Sequence, residues 1–272
     1  GVDAVVLATP HSLHTAQVVA AAAAGKHVFC EKPFALTRTD AEAAVAATRR
    51  AGVTLGLGYN RRFHPEMTKL RARIRSGDLG TVLHVEATMT FPNALLLKPE
   101  QWRANREETP AGGLTPMGVH AIDGMIDLCG PIASVYCQSF RRVVAIDADD
   151  TTSMLLRFAS GATGYLGTVI ATPETWRLQV FGSKAWAEVG DIEHLHTWDL
   201  KVCTLDPEQV RKWWAAEPAA NIGIPTGPRE LGGCEHSRFE RALGMEQGVS
   251  LVDRFHGDSS CSVDDVDLDL DA

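Results

Sequence analysis

With 272 residues, 45% of them hydrophobic and 22% charged, the chain carries enough apolar material for two modest domains or one large one, which excludes wholesale disorder. A net charge of -8 weighs against nucleic acid as a partner, because binding to a phosphate backbone is driven by clustered Lys and Arg. No apolar run reaches the ~18 residues of a transmembrane helix and no signal-peptide pattern opens the sequence, so no membrane partner is expected.

Residues 2–8, Val-Asp-Ala-Val-Val-Leu-Ala, are a largely apolar run of strand length, which predicts a strand covered on both faces. Thr9-Pro10-His11-Ser12 breaks the run, and residues 13–24 read as an alanine-rich helix closed by Gly25. Residues 25–33 then pass through His27-Val28-Phe29-Cys30, a short burst of strand type, and end on Glu31-Lys32-Pro33. Thr39-Asp40-Ala41-Glu42 has the form of a capping box, opening a helix that runs to Ala51 and stops at Gly52. Residues 53–58 supply a third buried strand. Three strands alternating with two helices predict a parallel, doubly wound sheet, and such sheets bind ligands at the carboxyl ends of their strands.

Beyond Asn60 the pattern changes. Residues 65–76 read as a basic amphipathic helix ended by Gly77, and residues 81–91 alternate like a strand with one wet face. Residues 92–110 form a long polar loop holding Trp102-Arg103, and residues 115–129 are helical in pattern. Strands follow near 133–145, 151–158, 163–171 and 176–181, with turns at Ser160-Gly161 and Gly182-Ser183-Lys184, which predicts an antiparallel sheet. Asp206 and Pro207 suit the cap and first position of a helix over 208–216. Glycine and proline are frequent over 221–233, and 235–245 is a candidate short helix. The predicted organisation is an α/β chain. Residues 1–62 give a partial doubly wound parallel sheet, residues 63–245 an α+β domain with a mostly antiparallel open sheet, and residues 246–272 an acidic disordered tail. A calcium loop is the sharper reading of 263–272, but the glycine and closing glutamate of an EF-hand are absent. The six cysteines are scattered with no CxxC pair, the usage of reduced thiols in a cytoplasmic protein.

Several residues stand out for their chemistry. Lys32, at a strand end between Phe29 and Phe34, is placed to be partly desolvated, which lowers an ammonium pKa, and Pro33 restricts its backbone. Backbone amides of the turn Thr9-Pro10-His11-Ser12 can donate to phosphate or ribose oxygens, and His14 reads as a hydrogen bonder at the helix start. The run Gly112-Gly113-Leu114-Thr115-Pro116-Met117-Gly118-Val119-His120-Ala121-Ile122-Asp123 brings glycines close before a histidine. Trp102-Arg103 offers a guanidinium for bidentate binding of oxygens, or a tryptophan-anchored loop. His194 and His196 fit one wet face of a strand better than a metal site.

The Glu31-Lys32-Pro33 stretch resembles the Glu-Lys-Pro signature of the Gfo/Idh/MocA oxidoreductases, the glucose-fructose oxidoreductase and inositol dehydrogenase group. The chain is similar to that family from residue 2 to about residue 206. The resemblance implies NAD or NADP as cofactor, a sugar, polyol or related hydroxy compound as substrate, and homo-oligomerisation through the exposed face of the antiparallel sheet. It places Lys32 beside the nicotinamide ring and the substrate hydroxyl. Thr9, Pro10, His14, Glu31, Lys32, Pro33 and Asn60 would border the cofactor, with Arg62 in the same Tyr-Asn-x-Arg segment. Trp102, Arg103 and His120 would meet substrate, with Lys32 and His120 catalytic. Pro116 stands where the family carries an aspartate one turn before the histidine, which leaves Asp123 as a candidate partner for His120. The family's Gly-rich turn and ribose-binding acid do not precede residue 2. Gly56-Leu57-Gly58 does not replace them, because Arg61 stands where a third glycine belongs. These residues alone are therefore expected to bind the cofactor weakly or not at all. The rival reading is a truncated, non-catalytic remnant whose sheet domain serves as a binding or oligomerisation module.

Overall fold

The computed structural model describes residues 1–192 and 195–216. Residues 1–204 form one compact unit, and residue 205 begins a second. That break falls inside the span 63–245 expected to be a single domain. The candidate helix at 235–245 and the tail 246–272 lie outside the described residues.

Three short strands, β1 (Ala4–Leu7), β2 (His27–Cys30) and β3 (Leu55–Leu57), pair in parallel in the order β1-β2-β3. Helix α1 (His14–Ala23) links the first two, and Gly25, at φ 68°, lets the chain turn out of it. Helix α2 (Arg38–Ala51) links β2 to β3. Its cap is Thr37, whose hydroxyl oxygen accepts from the Asp40 amide at 3.1 Å. The capping box expected at Thr39 is therefore displaced by two residues, because Thr37 has the extended backbone that a cap requires and Thr39 is already helical. Both helices pack on one face, where Val18, Val28, Cys30, Phe34 and Ala44 make a small core. The other face is open, with Val6 73% and Phe29 43% exposed. The expectation of strands buried on both faces fails for this reason.

The second sheet has seven strands in the order β10-β9-β8-β4-β7-β6-β5. They are β4 (Val82–Thr90), β5 (Ile132–Phe140), β6 (Thr151–Phe158), β7 (Thr163–Val169), β8 (Thr175–Gly182), β9 (Ala185–Asp191) and β10 (Asp199–Thr204). All pairings are antiparallel except one: β4 lies parallel to β7. Strand β4 inserts between β7 and β8, which the turn pattern alone would join as a hairpin. Helices α3 (Pro65–Ser76) and α4 (Gly118–Cys129) cover the inner face. Met67 and Leu70 from the first, and Ala121 and Met125 from the second, are buried with Val85, Met89, Leu166 and Leu178. Glu86, Arg177, Glu188 and Lys201 form an ion-paired ladder across β4, β8, β9 and β10.

Other expectations shift in detail. The strand read over 133–145 ends at Phe140, because Asp150 accepts the amides of Arg142, Val143 and Val144 and folds that stretch into a loop. The helix read from 115 starts at Gly118, with Gly112–Leu114 in a short 3-10 turn before it. His196 lies in the 3-10 turn Leu195–Thr197 and not on a strand, while His194 lies outside the described residues. In the second unit, α5 (Pro207–Ala216) starts as expected, with Asp206 accepting the Glu208 amide at 2.9 Å.

Candidate active site

The three parallel strands end side by side, and the loops that follow are tied together there. The Glu31 amide donates to Leu7 O at 2.8 Å, and the Gly58 amide to Cys30 O at 2.9 Å. A side chain at Gly58 would lie 3.0 Å from the Glu31 carboxylate, so glycine makes room for that group. His14 is fully buried, with Nδ1 2.8 Å from Pro33 O and Nε2 3.1 Å from Thr9 O. It therefore clamps the first two loops to each other and presents no ring edge to a ligand. The Thr9 hydroxyl donates to Gln17 Oε1 at 2.6 Å. Pro10 precedes the short turn His11–Leu13, and Asn60 is exposed after β3.

One of the turn's amides expected to serve phosphate or ribose is engaged within the chain. Ser12 N–H donates to Glu108 Oε2 at 3.0 Å, and the Ser12 hydroxyl donates to the other carboxylate oxygen. His11 Nδ1 reaches Glu108 O at 2.7 Å, and its ring stands edge-on to Trp102 at 4.9 Å. Trp102 is thus an anchor between the turn after β1 and the 92–110 loop. Arg103 stacks on the same indole, its guanidinium carbon 4.1 Å from the ring centroid.

Lys32 leaves the parallel sheet and reaches the second one. Its Nζ donates to Pro116 O at 2.6 Å, and the Lys32–Pro33 bond is cis. Burial holds its ammonium below the ordinary lysine value, against the pull of Glu31 and with help from the cations of Arg61 and Arg103. The desolvation expected of this lysine is present. Lys32, Arg103, Gly112, Pro116 and Met117 line one cavity of about 530 Å³, within the size range of small-molecule sites.

His120 lies on α4, outside the lining of that cavity, 3% exposed and edge-on to Tyr59 at 6.3 Å. Its Nδ1 is buried without a hydrogen-bond partner. Burial, with the cations of Lys32 and Arg61 adding to it, pushes the imidazole down to about 3. Asp123 does not orient it: that carboxylate binds Arg62, whose Nε donates at 2.8 Å and whose Nη2 donates to the second oxygen. Arg71 adds Asp127 at 2.5 Å and Arg62 O at 2.6 Å, so these arginines staple α3 and the turn Asn60–Phe63 to α4.

The glycine run has a different use from the one its pattern implied. Gly112 lies at φ 51°, and a Cβ there would sit 1.9 Å from Asp149 O; one at Gly113 would sit 2.4 Å from Ile170 Cγ2. These glycines bring the turn against the sheet and its neighbouring loop, and only Gly112 faces the cavity. Asp149 in turn holds Arg106 at 2.8 and 3.1 Å. Neither acid of the Asp149-Asp150 pair was singled out from sequence, and an acidic dipeptide in a polar loop carries no spacing signal that would mark it.

The residues at the strand ends fit a nicotinamide cofactor: Gly58 leaves room for the Glu31 carboxylate, and Lys32 reaches from the same strand ends to the cavity. Comparison with known proteins agrees. Residues 1–59 match the oxidoreductase family NAD-binding Rossmann fold, and residues 67–188 match the GFO/IDH/MocA C-terminal domain. Residues 190–234 also match the N-terminal part of bifunctional DNA primase/polymerases, a stretch partly outside the described residues. The uncharacterized oxidoreductase YrbE of Bacillus subtilis is 30% identical over 68% of this chain and 54% of its own length. Myo-inositol 2-dehydrogenase of Thermotoga maritima is 30% identical over 67% of this chain and 55% of its own. The solved WlbA dehydrogenase of Bordetella pertussis, in complex with NADH and UDP-GlcNAcA, superposes with a TM-score of 0.69 at 28% identity, over 79% of this chain and 63% of that one. The chain spans about half the length of these curated relatives.

Proposed function

From a chain that belongs to the Gfo/Idh/MocA family, we propose an NAD(P)-dependent oxidoreductase that exchanges hydride with a hydroxy compound at the cavity between its two sheets. The observation that carries this reading is the Lys32 side chain, which crosses from the cofactor half to the cavity and is held there by Pro116 O at 2.6 Å. Residues 1–62 are the cofactor-bearing part and residues 63–245 the substrate-bearing part. Thr9, Pro10, Glu31, Lys32, Pro33 and Asn60 border the cofactor, and His14 holds their loops in place. Trp102, Arg103 and His120 face the substrate side. The bound nicotinamide supplies a hydride acceptor or donor.

Lys32 carries the proton. In the amine form it keeps one N–H on Pro116 O and offers its lone pair to the substrate hydroxyl, so the proton passes to Nζ as hydride leaves the carbon. Burial, by depressing the ammonium, makes that form accessible. His120, held neutral beyond the lining, offers a hydrogen-bonding ring nitrogen and does not act as the acid or base. Homo-oligomerisation uses the outer face of the larger sheet, where Tyr136 and Leu155 are exposed cross-strand neighbours.

The test is turnover followed by nicotinamide absorbance, with cofactor affinity measured separately by titration. Lys32→Met is expected to lower turnover by ~10²–10⁴-fold, the usual contribution of positioned acid–base catalysis, with cofactor affinity nearly unchanged. Full turnover in that variant ends the catalytic reading of Lys32. Binding of neither NADH nor NADPH by a chain additionally supplied with a Gly-rich turn and ribose-binding acid ends the oxidoreductase reading and leaves a binding module.

A further inference from the structure

The walls of the 530 Å³ cavity are unusual for a site that would take a polyol. Phe91, Leu96, Leu97, Met117, Ile146 and Ile170 give the lining its large apolar side chains, and none of the lining residues is Asp, Glu, Ser, Tyr or His. The only charges in the lining are the cations of Lys32 and Arg103. Every hydroxyl of a buried polyol needs an acceptor for its proton, and one left without a partner incurs a desolvation penalty. The lining supplies few acceptors. They are the Asn93 amide oxygen, the Thr109 hydroxyl, which donates to Asn105 O at 3.0 Å, and Gln101 Oε1, which already accepts from the Lys98 amide at 2.8 Å. Nearby carboxylates are engaged elsewhere: Glu108 on Ser12, Asp149 on Arg106, and Asp123 on Arg62. Pro116 contributes only its carbonyl, which Lys32 occupies. The cavity therefore offers an apolar body and a pair of donors, which is the complement of an anion on a greasy frame.

We propose that the cavity selects a hydroxy carboxylate with an apolar body, its carboxylate on Arg103 and its hydroxyl at Lys32, over a polyhydroxylated sugar or polyol. This rests on the reading of the cavity as the substrate site. Arg103 is suited to the anion because its guanidinium is held over the Trp102 ring at 4.1 Å, and that ring is packed in turn by His11. A planar fork held in that way loses little freedom on binding a carboxylate.

The experiment is calorimetric titration of the full chain with hydroxycyclohexanecarboxylate, its methyl ester, and myo-inositol. The acid is expected to bind at least about tenfold tighter than its ester, as one charge-assisted contact provides, and tighter still than myo-inositol. Arg103→Leu should bring the acid down to the level of the ester while the ester's own affinity holds, which separates lost charge from lost fold. Binding of myo-inositol as tight as the acid, an acid no better than its ester, an acid unaffected by Arg103→Leu, or no binding of any probe overturns the proposal. Its fate is distinguishable from that of the hydride-transfer reading. An acid that binds through Arg103 but reduces neither NAD nor NADP sinks that reading and leaves the ligand class standing. Oxidation of myo-inositol with no preference for the acid does the reverse.

Discussion

Lys32 and His120 show how one site gives two titratable groups different tasks. Both are disfavoured in the charged form by burial, and the cation of Lys32 makes His120 harder still to charge. The lysine keeps a carbonyl partner, whereas the histidine has none at Nδ1. The imidazole therefore stays neutral, and the protein's acid stability should register it. With a folded-state value near 3 against the ordinary 6.5, the unfolded chain binds more protons between those limits. The contribution of His120 is full above pH 6.5 and is lost as pH falls toward 3. His11, also pushed down by burial, acts in the same direction. We expect His120→Asn to flatten the decline of the urea midpoint between pH 7 and pH 4 by its own share, with His11→Asn removing a separate share. A decline unchanged by His120→Asn contradicts the assignment. At the same scale, Gly112→Ala forces a left-handed backbone and a clash with Asp149 O, and is expected to destabilise by about 2–4 kcal/mol in thermal unfolding.

Among the elements, α4 depends on charges that come from far along the chain. Arg62 lies on a turn after β3, yet it is held by Asp123, and Arg71 of α3 is held by Asp127. The carboxylates are mostly buried, so removing one partner leaves the other poorly solvated. Asp123→Ala and Arg62→Met are each expected to lose about 1–3 kcal/mol, with the double variant losing much less than their sum. Additive losses in urea unfolding would mean the pair contributes no coupling. This network marks where sequence reading stopped. Lys32, Pro33, Trp102-Arg103 and the helix bearing His120 were legible because each lies in a short run with its own turn, cap or period. The pairing of Arg62 with Asp123, or of Ser12 with Glu108, spans 61 and 96 residues and leaves no local mark. Asp123 looked like a partner for His120 because three residues along a helix do face one another. Arg62 was the stronger competitor. The short helices and strands at the cofactor end were likewise legible, apart from the cap, since alanine runs and glycine stops act within a few residues.

For the whole molecule, the governing fact is that the turn after β1, the loop holding Trp102, and the start of α4 meet at one place. Lys32 spans from one sheet to the lining of a cavity built by the other. A change at that junction should alter ligand binding and stability together. The same architecture sets an order of events during synthesis. Strand β4 is the hinge of the larger sheet, and its hydrogen-bonding partners are β7 and β8, which end at Val169 and Gly182. Its own last residue is Thr90. A ribosome adding ~5–20 residues per second leaves this apolar strand without either neighbour for on the order of ten seconds. Nascent chains stalled at successive lengths should therefore stay open to protease through the emergence of α4, β5 and β6, and close only once β8 has cleared the ribosome. Protection that appears before β7 emerges would mean that β4 finds a temporary partner. The parallel seam beside the cavity thus closes late, with only the antiparallel strands from β8 onward after it, and it leaves the growing chain a long interval in which a chaperone has something to hold.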